Sequence, residues 1–334
     1  LTHLQRTIED LVNKYQGEKP LSGTLLIARN YDVIFEKAYG EASIQLRVPN
    51  TPETKFHIAS LTKMFTAAAA LKLHGEGRVS LNHHPGLYLP ELERLHPETT
   101  IHHLLSNTSG LSDIYAVPHL RHEISKLAYD NRDFLSYLGE QKQPYPPGKR
   151  WKYSSTGFLM VAYILEKVTG QTFERLLKEM FLEPLGMKDT GQDNPRVINK
   201  NRAYGHTIVD GEYRNADNDK LSDLDQIPGE LYSTARDLNQ WCNAMLKGDV
   251  LAEHLSDKMF TPYGLVDFDP ALTYGYGWFL DMGRNRRLIG GGTPGFRSEI
   301  FQYPEHKLHI IMLWNNETIN FHELFWRINE ALLH

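Results

Sequence analysis

The chain has 334 residues, with 36 Lys and Arg against 41 Asp and Glu, a formal net charge of −5, and 41% hydrophobic residues. That length allows one large domain or two modest ones with a substantial core, and excludes a small disulfide-stapled scaffold. The near balance of charge, without a long run of either sign, argues against a nucleic-acid or anionic-membrane partner, and no apolar stretch reaches the roughly 18 residues that span a bilayer. Cys242 is the sole cysteine, so neither an internal disulfide nor a thiolate metal cluster can form, and the compartment stays open. The chain starts at Leu1, so the lack of a signal segment is no argument for the cytoplasm. Leu4, Ile8, Leu11 and Val12 fall at helical spacing and predict an opening amphipathic helix. Two apolar runs between Gly23 and Tyr39, around Arg29-Asn30-Tyr31-Asp32, predict a hairpin. An Ala-rich stretch from Ser60, closed by Gly75 and Gly77, predicts a buried helix over 60–74. The middle, from about Leu81 to Leu224, has helical patterns at Thr100–Leu105, DFLSYLGEQ and FLMVAYILEKVTG, with few convincing strands. STARDLNQWCNAMLKG has a capping start and a glycine stop. β signals return in LTYGYGWFLDM, NRRLIGG, FRSEIFQYP and HKLHIIMLWNN, before a last helix at His322–Leu333.

Strands near both ends of a mostly helical middle imply an α+β fold. A single antiparallel sheet would be flanked by helices, with a sheet subdomain of 1–77 plus 225–334, a helical subdomain of 78–224, and the site in the cleft between them. Sixteen histidines invite a metal reading, yet none has ligand spacing. His122-Glu123 and His322-Glu323 lack the second His of H-E-x-x-H, and the neighbours His83-His84 and His102-His103 point apart, so no metal site is expected. Gly290 to Gly295 formally match a dinucleotide fingerprint, but Pro294 interrupts it and a strand pattern follows it, which excludes a nucleotide site. No G-x-S-x-G nucleophile elbow is present. What survives is Ser60-Leu61-Thr62-Lys63. Three residues apart on a helix, hydroxyl and amine share a face, and the positive end of the helix favours an oxyanion forming near Ser60.

Read together with its surroundings, this short motif gains specificity. FHIASLTK, LLSNTSGL at Leu104–Leu111, the long block PPGKRWKYSS…MKDTG from Pro146 to Gly191, LYSTARDLNQW and GGGTPGF resemble, in order, the blocks of the serine β-lactamase and penicillin-binding protein superfamily. The resemblance is to its class C β-lactamase, D,D-peptidase and esterase branch. It implies a β-lactamase/transpeptidase-like fold, Ser60 as the acylated nucleophile, Lys63 as its base partner, and Tyr153 as a phenol exchanging protons with nucleophile and leaving group. It further implies oxyanion donors at the backbone N–H groups of Ser60 and Gly292, and substrate contacts from Ser155, Gly291, Gly292 and Thr293. No cofactor is implied, since side chains and water suffice. The partner is a small-molecule or peptide substrate, and an extracytoplasmic location follows the family. Two positions depart from its pattern. Ser155 stands where Asn is usual, and Ile289 stands where Lys or His usually helps bind the substrate carboxylate, with Arg287 and Arg297 as conceivable spatial substitutes. The expected activity is therefore amide or ester hydrolysis through an acyl-enzyme, on a D-amino-acid peptide, a β-lactam or a small ester. A carboxylesterase and a catalytically impaired penicillin-binding or sensor module are the alternatives.

Overall fold

Strands with apolar side chains on both faces organise the molecule. In the computed structural model, which describes residues 3–18, 20–116, 131–194, 197–216 and 229–333, β1 (Gly23–Arg29) and β2 (Asp32–Tyr39) form the predicted hairpin. Its turn residues Asn30 and Tyr31 have φ of 53° and 74°, the left-handed pair that suits a tight hairpin between twisted strands. A small ribbon of β3 (Glu41–Ser43) and β4 (Val48–Pro49) follows, then β5 (Phe56–His57). Later come β6 (Gly191–Gln192), β7 (His206–Val209), β8 (Glu212–Asn215) and β9 (Leu231–Ser233). The C-terminal part supplies β10 (Gly264–Leu265), β11 (Thr273–Tyr274), β12 (Phe279–Asp281), β13 (Arg286–Thr293), β14 (Phe296–Tyr303) and β15 (Leu308–Trp314).

Eight of these strands form one sheet in the order β10-β11-β12-β13-β14-β15-β1-β2. Every neighbouring pair is antiparallel, and β1 meets β15 with Gly23 opposite Trp314 and Arg29 opposite Leu308. Strands from the two ends of the chain thus share one sheet, as expected. The helices His3–Glu18 and Phe321–Leu333 cover one face with Ile8, Val12, Phe325 and Ile328, packed on Leu25, Ile27, Ile310 and Met312. Leu26, Ala28, Ile300, Ile311 and Leu313 point the other way, into the core that contains the helices Thr62–Gly75 and Ala235–Lys247. Because both faces are covered, β15 reads as an almost unbroken apolar run rather than an alternation.

The middle of the chain supplies the helices Ile101–Leu105, Asn131–Gly139 and Ser155–Thr169. The last of these ends at Gly170, whose φ of 71° suits a glycine stop. The parts of the expected helical region at 117–130 and 217–224 lie outside the described residues. The sequence reading passed over the β7–β8 hairpin, although Asp210-Gly211, both at positive φ, is a strong tight-turn signal. No helix among the described residues is long and apolar enough to cross a membrane.

The buried helix expected over 60–74 starts later. Ala59–Leu61 form a 3₁₀ turn, and the α-helix runs from Thr62 to Gly75. The reason is a sharp corner: β5 leads into Ile58, whose N–H donates to Leu231 O at 2.9 Å, and Ala59 then takes φ of 47°, a left-handed conformation disfavoured for a residue with a Cβ. β13 and β14 pin the corner from the sheet side. The Ser298 hydroxyl donates to Ile58 O at 2.8 Å. Gly291 passes so close that a Cβ there would lie 2.6 Å from Ile58 O and 2.9 Å from Ser60 N.

Two outcomes follow. Gly291→Ala forces backbone apart at this contact and lowers stability by about 1–3 kcal/mol, measured by urea denaturation. His309 on β15 is fully buried, with Nε2 on Asn239 Oδ1 at 2.7 Å and no partner for Nδ1, so desolvation lowers its pKa from 6.5 to about 4. The unfolded chain therefore takes up the proton first, and stability present above pH 6.5 is lost as pH falls toward 4. Between pH 7 and pH 4.5, wild type is expected to lose about 2–3 kcal/mol more than His309→Gln in thermal or urea unfolding.

Candidate active site

The corner at Ala59 presents Ser60 at the mouth of the Thr62–Gly75 helix, and one turn on, Lys63 returns to it. Lys63 Nζ donates to Ser60 Oγ at 2.9 Å, and the Tyr153 phenol donates to the same oxygen at 2.7 Å. Lys63 is 7% exposed, with its ammonium 5.0 Å from the centre of the Tyr153 ring and 5.7 Å from that of Phe158. Below it, Gly277 has φ of 78° and lies against the Lys63 carbonyl, where a Cβ would sit 2.9 Å from the oxygen. The three side chains named from the sequence as a chemical unit thus converge on one oxygen atom, although Tyr153 lies 93 residues from Ser60.

Tyr153 is held by residues that the sequence reading passed over. Asn107, in the left-handed conformation at φ 57° and 1% exposed, brackets it. Its carbonyl accepts the Lys152 N–H at 2.9 Å, and its Oδ1 accepts the Ser154 N–H at 3.2 Å. Behind Tyr153 lie the Trp151 ring and the buried Tyr274 phenol. Burial and the neighbouring Tyr153 push the Tyr274 phenol well above its usual range, with the Asn107 amide opposing, so it stays a neutral packing partner. The signal for Asn107 was in the text: an Asn before Thr-Ser-Gly is a residue type that tolerates left-handed backbone.

The loop that follows Asn107 supplies the cap for the Ser155–Thr169 helix. Ser154 at the cap position makes no capping bond of its own. Asp113 Oδ1 instead accepts the N–H groups of Ser155 and Tyr115 at 3.2 and 3.3 Å, and Ser112 O accepts the Thr156 hydroxyl at 2.8 Å. This lacing fixes the helix start, and with it Tyr153 and Ser155, against the Asn107 loop.

Ser60 opens onto a cavity of about 160 Å³, whose walls include Lys63, Tyr153, Ser155, Asp113, Gly292 and Thr293. Of the residues expected to contact substrate, Ser155, Gly292 and Thr293 thus line the cavity, while Gly291 lies behind it against Ser60 N. Ile289 is 2% exposed and packed in the core, not on the cavity wall. Neither arginine considered as a substitute cation reaches the cavity. Arg287 is folded over the Phe260 ring, 3.4 Å from its centre, and burial lowers its pKa to about 10. Arg297 donates to Phe296 O at 2.9 Å and does not line the cavity. Arg287 and Ile289 share the Gly291 and Thr293 face of β13 but lie farther back along the strand, whereas Arg297, opposite Gly292, projects from the other face of the sheet.

Two further groups complete the wall. His57, on β5, accepts the Ala59 N–H on Nδ1 at 3.1 Å and places Nε2 3.6 Å from Glu230 Oε2. Glu230 precedes β9, the strand that pairs with β5 and β6. No group of histidines, cysteines and carboxylates suited to a metal ion occurs among the described residues.

Known proteins share this arrangement of elements. The chain is 28% identical over 331 residues to penicillin-binding protein 4* of Bacillus subtilis, a match covering 94% of this chain and 72% of that protein. The crystal structure of a penicillin-binding protein from Bacillus halodurans superposes with a TM-score of 0.81 at 26% identity, covering 99% of this chain and 98% of the other. The D-amino acid amidase from Ochrobactrum anthropi SV3 has the same fold, with a TM-score of 0.82 at 22% identity and 99% of each chain covered. A family model described as Beta-lactamase matches residues 5–333, and the chain belongs to that family.

Proposed function

We propose that the protein is a serine hydrolase that forms an acyl-enzyme at Ser60 and acts on an amide or ester. The observation that carries this reading is the convergence of Lys63 Nζ and the Tyr153 phenol on Ser60 Oγ, at 2.9 and 2.7 Å, beside an open cavity. Membership of the Beta-lactamase family, and relatives named as penicillin-binding proteins and an amidase, support it.

For attack, the Ser60 proton must leave Oγ, so one of the two groups now donating to that oxygen has to be short of a proton at that moment. Lys63 and Tyr153 both reach Oγ, and the proton acceptor in this proposal is the two side chains together. As the Oγ–carbonyl bond forms, the proton passes to this pair, and the carbonyl oxygen gains negative charge. The backbone N–H groups of Ser60 and Gly292 are the donors proposed to hold it. The pair then protonates the departing amine or alcohol as the bond to the carbonyl carbon breaks. In the second half, water adds to the acyl-enzyme, its proton travels back through the pair to Oγ, and the acid is released.

A carboxylesterase is the second reading, favoured by Ile289 where a carboxylate-binding cation is usual. With Arg287 and Arg297 both turned elsewhere, a substrate that depends on its own carboxylate for binding, such as a D,D-peptide, has no described cation besides Lys63 to meet it.

The test is incubation with a fluorophosphonate and a fluorescent penicillin, alongside turnover of p-nitrophenyl esters. A covalent adduct on Ser60 in intact-mass and peptide mapping is expected, with ester turnover falling at least a thousandfold in Ser60→Ala. Absence of any Ser60-dependent adduct and of any turnover would remove the reading. Loss of the Tyr153 bracket is separately measurable: Asn107→Ala leaves the buried Ser154 N–H without its acceptor. It is expected to cost about 1–3 kcal/mol in urea denaturation and to lower kcat on a p-nitrophenyl ester about tenfold, with a smaller change in KM.

A further inference from the structure

Along β13, the cavity beside Ser60 takes in Gly292 and Thr293 but not Ile289, so it extends from the nucleophile toward the Thr293 end of the strand. Besides Lys63, the described titratable groups on the cavity wall other than tyrosines are the carboxylates of Asp113 and Glu230 and the imidazole of His57. Asp113 spends Oδ1 on two backbone N–H groups, and no bond from a described residue engages Oδ2. Glu230 has His57 as its nearest described partner, at a loose 3.6 Å. The cations of the neighbouring strand platform are already neutralised, Lys55 by Asp189 at 3.1 Å and Arg202 by Asp193. Lys63 is the described cation on the wall, and it is bound to Ser60 Oγ.

Resting on the hydrolase reading above, we infer that the site selects acyl groups bearing a primary ammonium, such as α-aminoacyl amides or esters, over neutral and carboxylate-bearing ones. Two carboxylates in a partly enclosed cavity attract a cation and repel an anion, and restricted access to water strengthens both effects. The ammonium belongs on the acyl part. A leaving group must sit beside the Lys63–Tyr153 pair that protonates it, where a second cation meets the Lys63 ammonium.

The test uses three p-nitroanilides with the same scissile bond: alanine p-nitroanilide, its N-acetyl twin and its N-succinyl twin, each as both enantiomers, at pH 7. They carry an ammonium, no charge and a carboxylate. Two readouts are taken, kcat/KM for release of p-nitroaniline and the concentration of each compound that halves the rate of fluorophosphonate labelling at Ser60. The second reports binding even for a compound that is not turned over. For at least one enantiomer, the expected order is ammonium over acetyl over succinyl, with about tenfold at each step and smaller steps at high salt. Glu230→Gln is expected to shrink the ammonium-to-acetyl ratio several-fold. Asp113→Asn does the same if the helix cap holds, and the Glu230 variant decides the matter if it does not. Equal binding of all three compounds, or a preference for the succinyl compound, overturns this inference. The hydrolase reading survives that result as long as Ser60 is labelled and p-nitrophenyl acetate is turned over in a Ser60-dependent way. Absence of both labelling and turnover removes the two together.

Discussion

The contact between two backbones at residues 58–60 and 291 governs the site. The Ala59 corner aims Ser60 out of the end of a buried helix, and it persists because a glycine on β13 lets the strand press directly against it. Strained backbone of this kind costs of order 1–3 kcal/mol and survives only where its surroundings over-determine it. Here the surroundings are the Ser298 hydroxyl on Ile58 O, the β9 carbonyl of Leu231 on Ile58 N–H, and the imidazole of His57 on Ala59 N–H. Each comes from a different strand, so Ser60 inherits the rigidity of two sheets rather than of its own helix.

A second set of constraints delivers Tyr153 to the same oxygen. It runs through loops: Asn107 brackets the residues on either side of Tyr153, and Asp113 caps the helix that begins just after it. These bonds are short in reach and buried, so deleting one leaves a polar group without a partner, where the cost is highest. The position of Tyr153 against Ser60 Oγ is therefore set by hydrogen bonds to backbone, and the side chains that touch Ser60 are the visible end of a longer chain of contacts.

Much of this was legible in the sequence, and the reasons differ from element to element. The β1–β2 hairpin, the capped Ala235–Lys247 helix and the apolar strands β14 and β15 announce themselves through local pattern, since turn chemistry and period are local properties. Ser60 and Lys63 were readable because one helical turn relates them, whereas Tyr153 was reached only through resemblance to a family, because nothing local ties residue 153 to residue 60. Asp113, Glu230 and His57 were passed over for the same reason: a carboxylate on a cavity wall and one in water look alike in one dimension. The start of the Thr62–Gly75 helix was misjudged by two residues because Ala59 adopts a conformation that its side chain disfavours, and only tertiary contacts enforce it.

The shared sheet also bears on how the protein comes into being. β1 cannot pair with β15, nor can the Ala59 corner meet Gly291, until well over two hundred further residues have been synthesised. Contacts of such separation require large loops to close before they reward the chain, which slows folding. Newly made chains therefore hold the Ser60 helix and the Tyr153 loop for some time without the wall that completes them, and the cavity is finished late, with the final strands, rather than growing gradually along the ribosome's path.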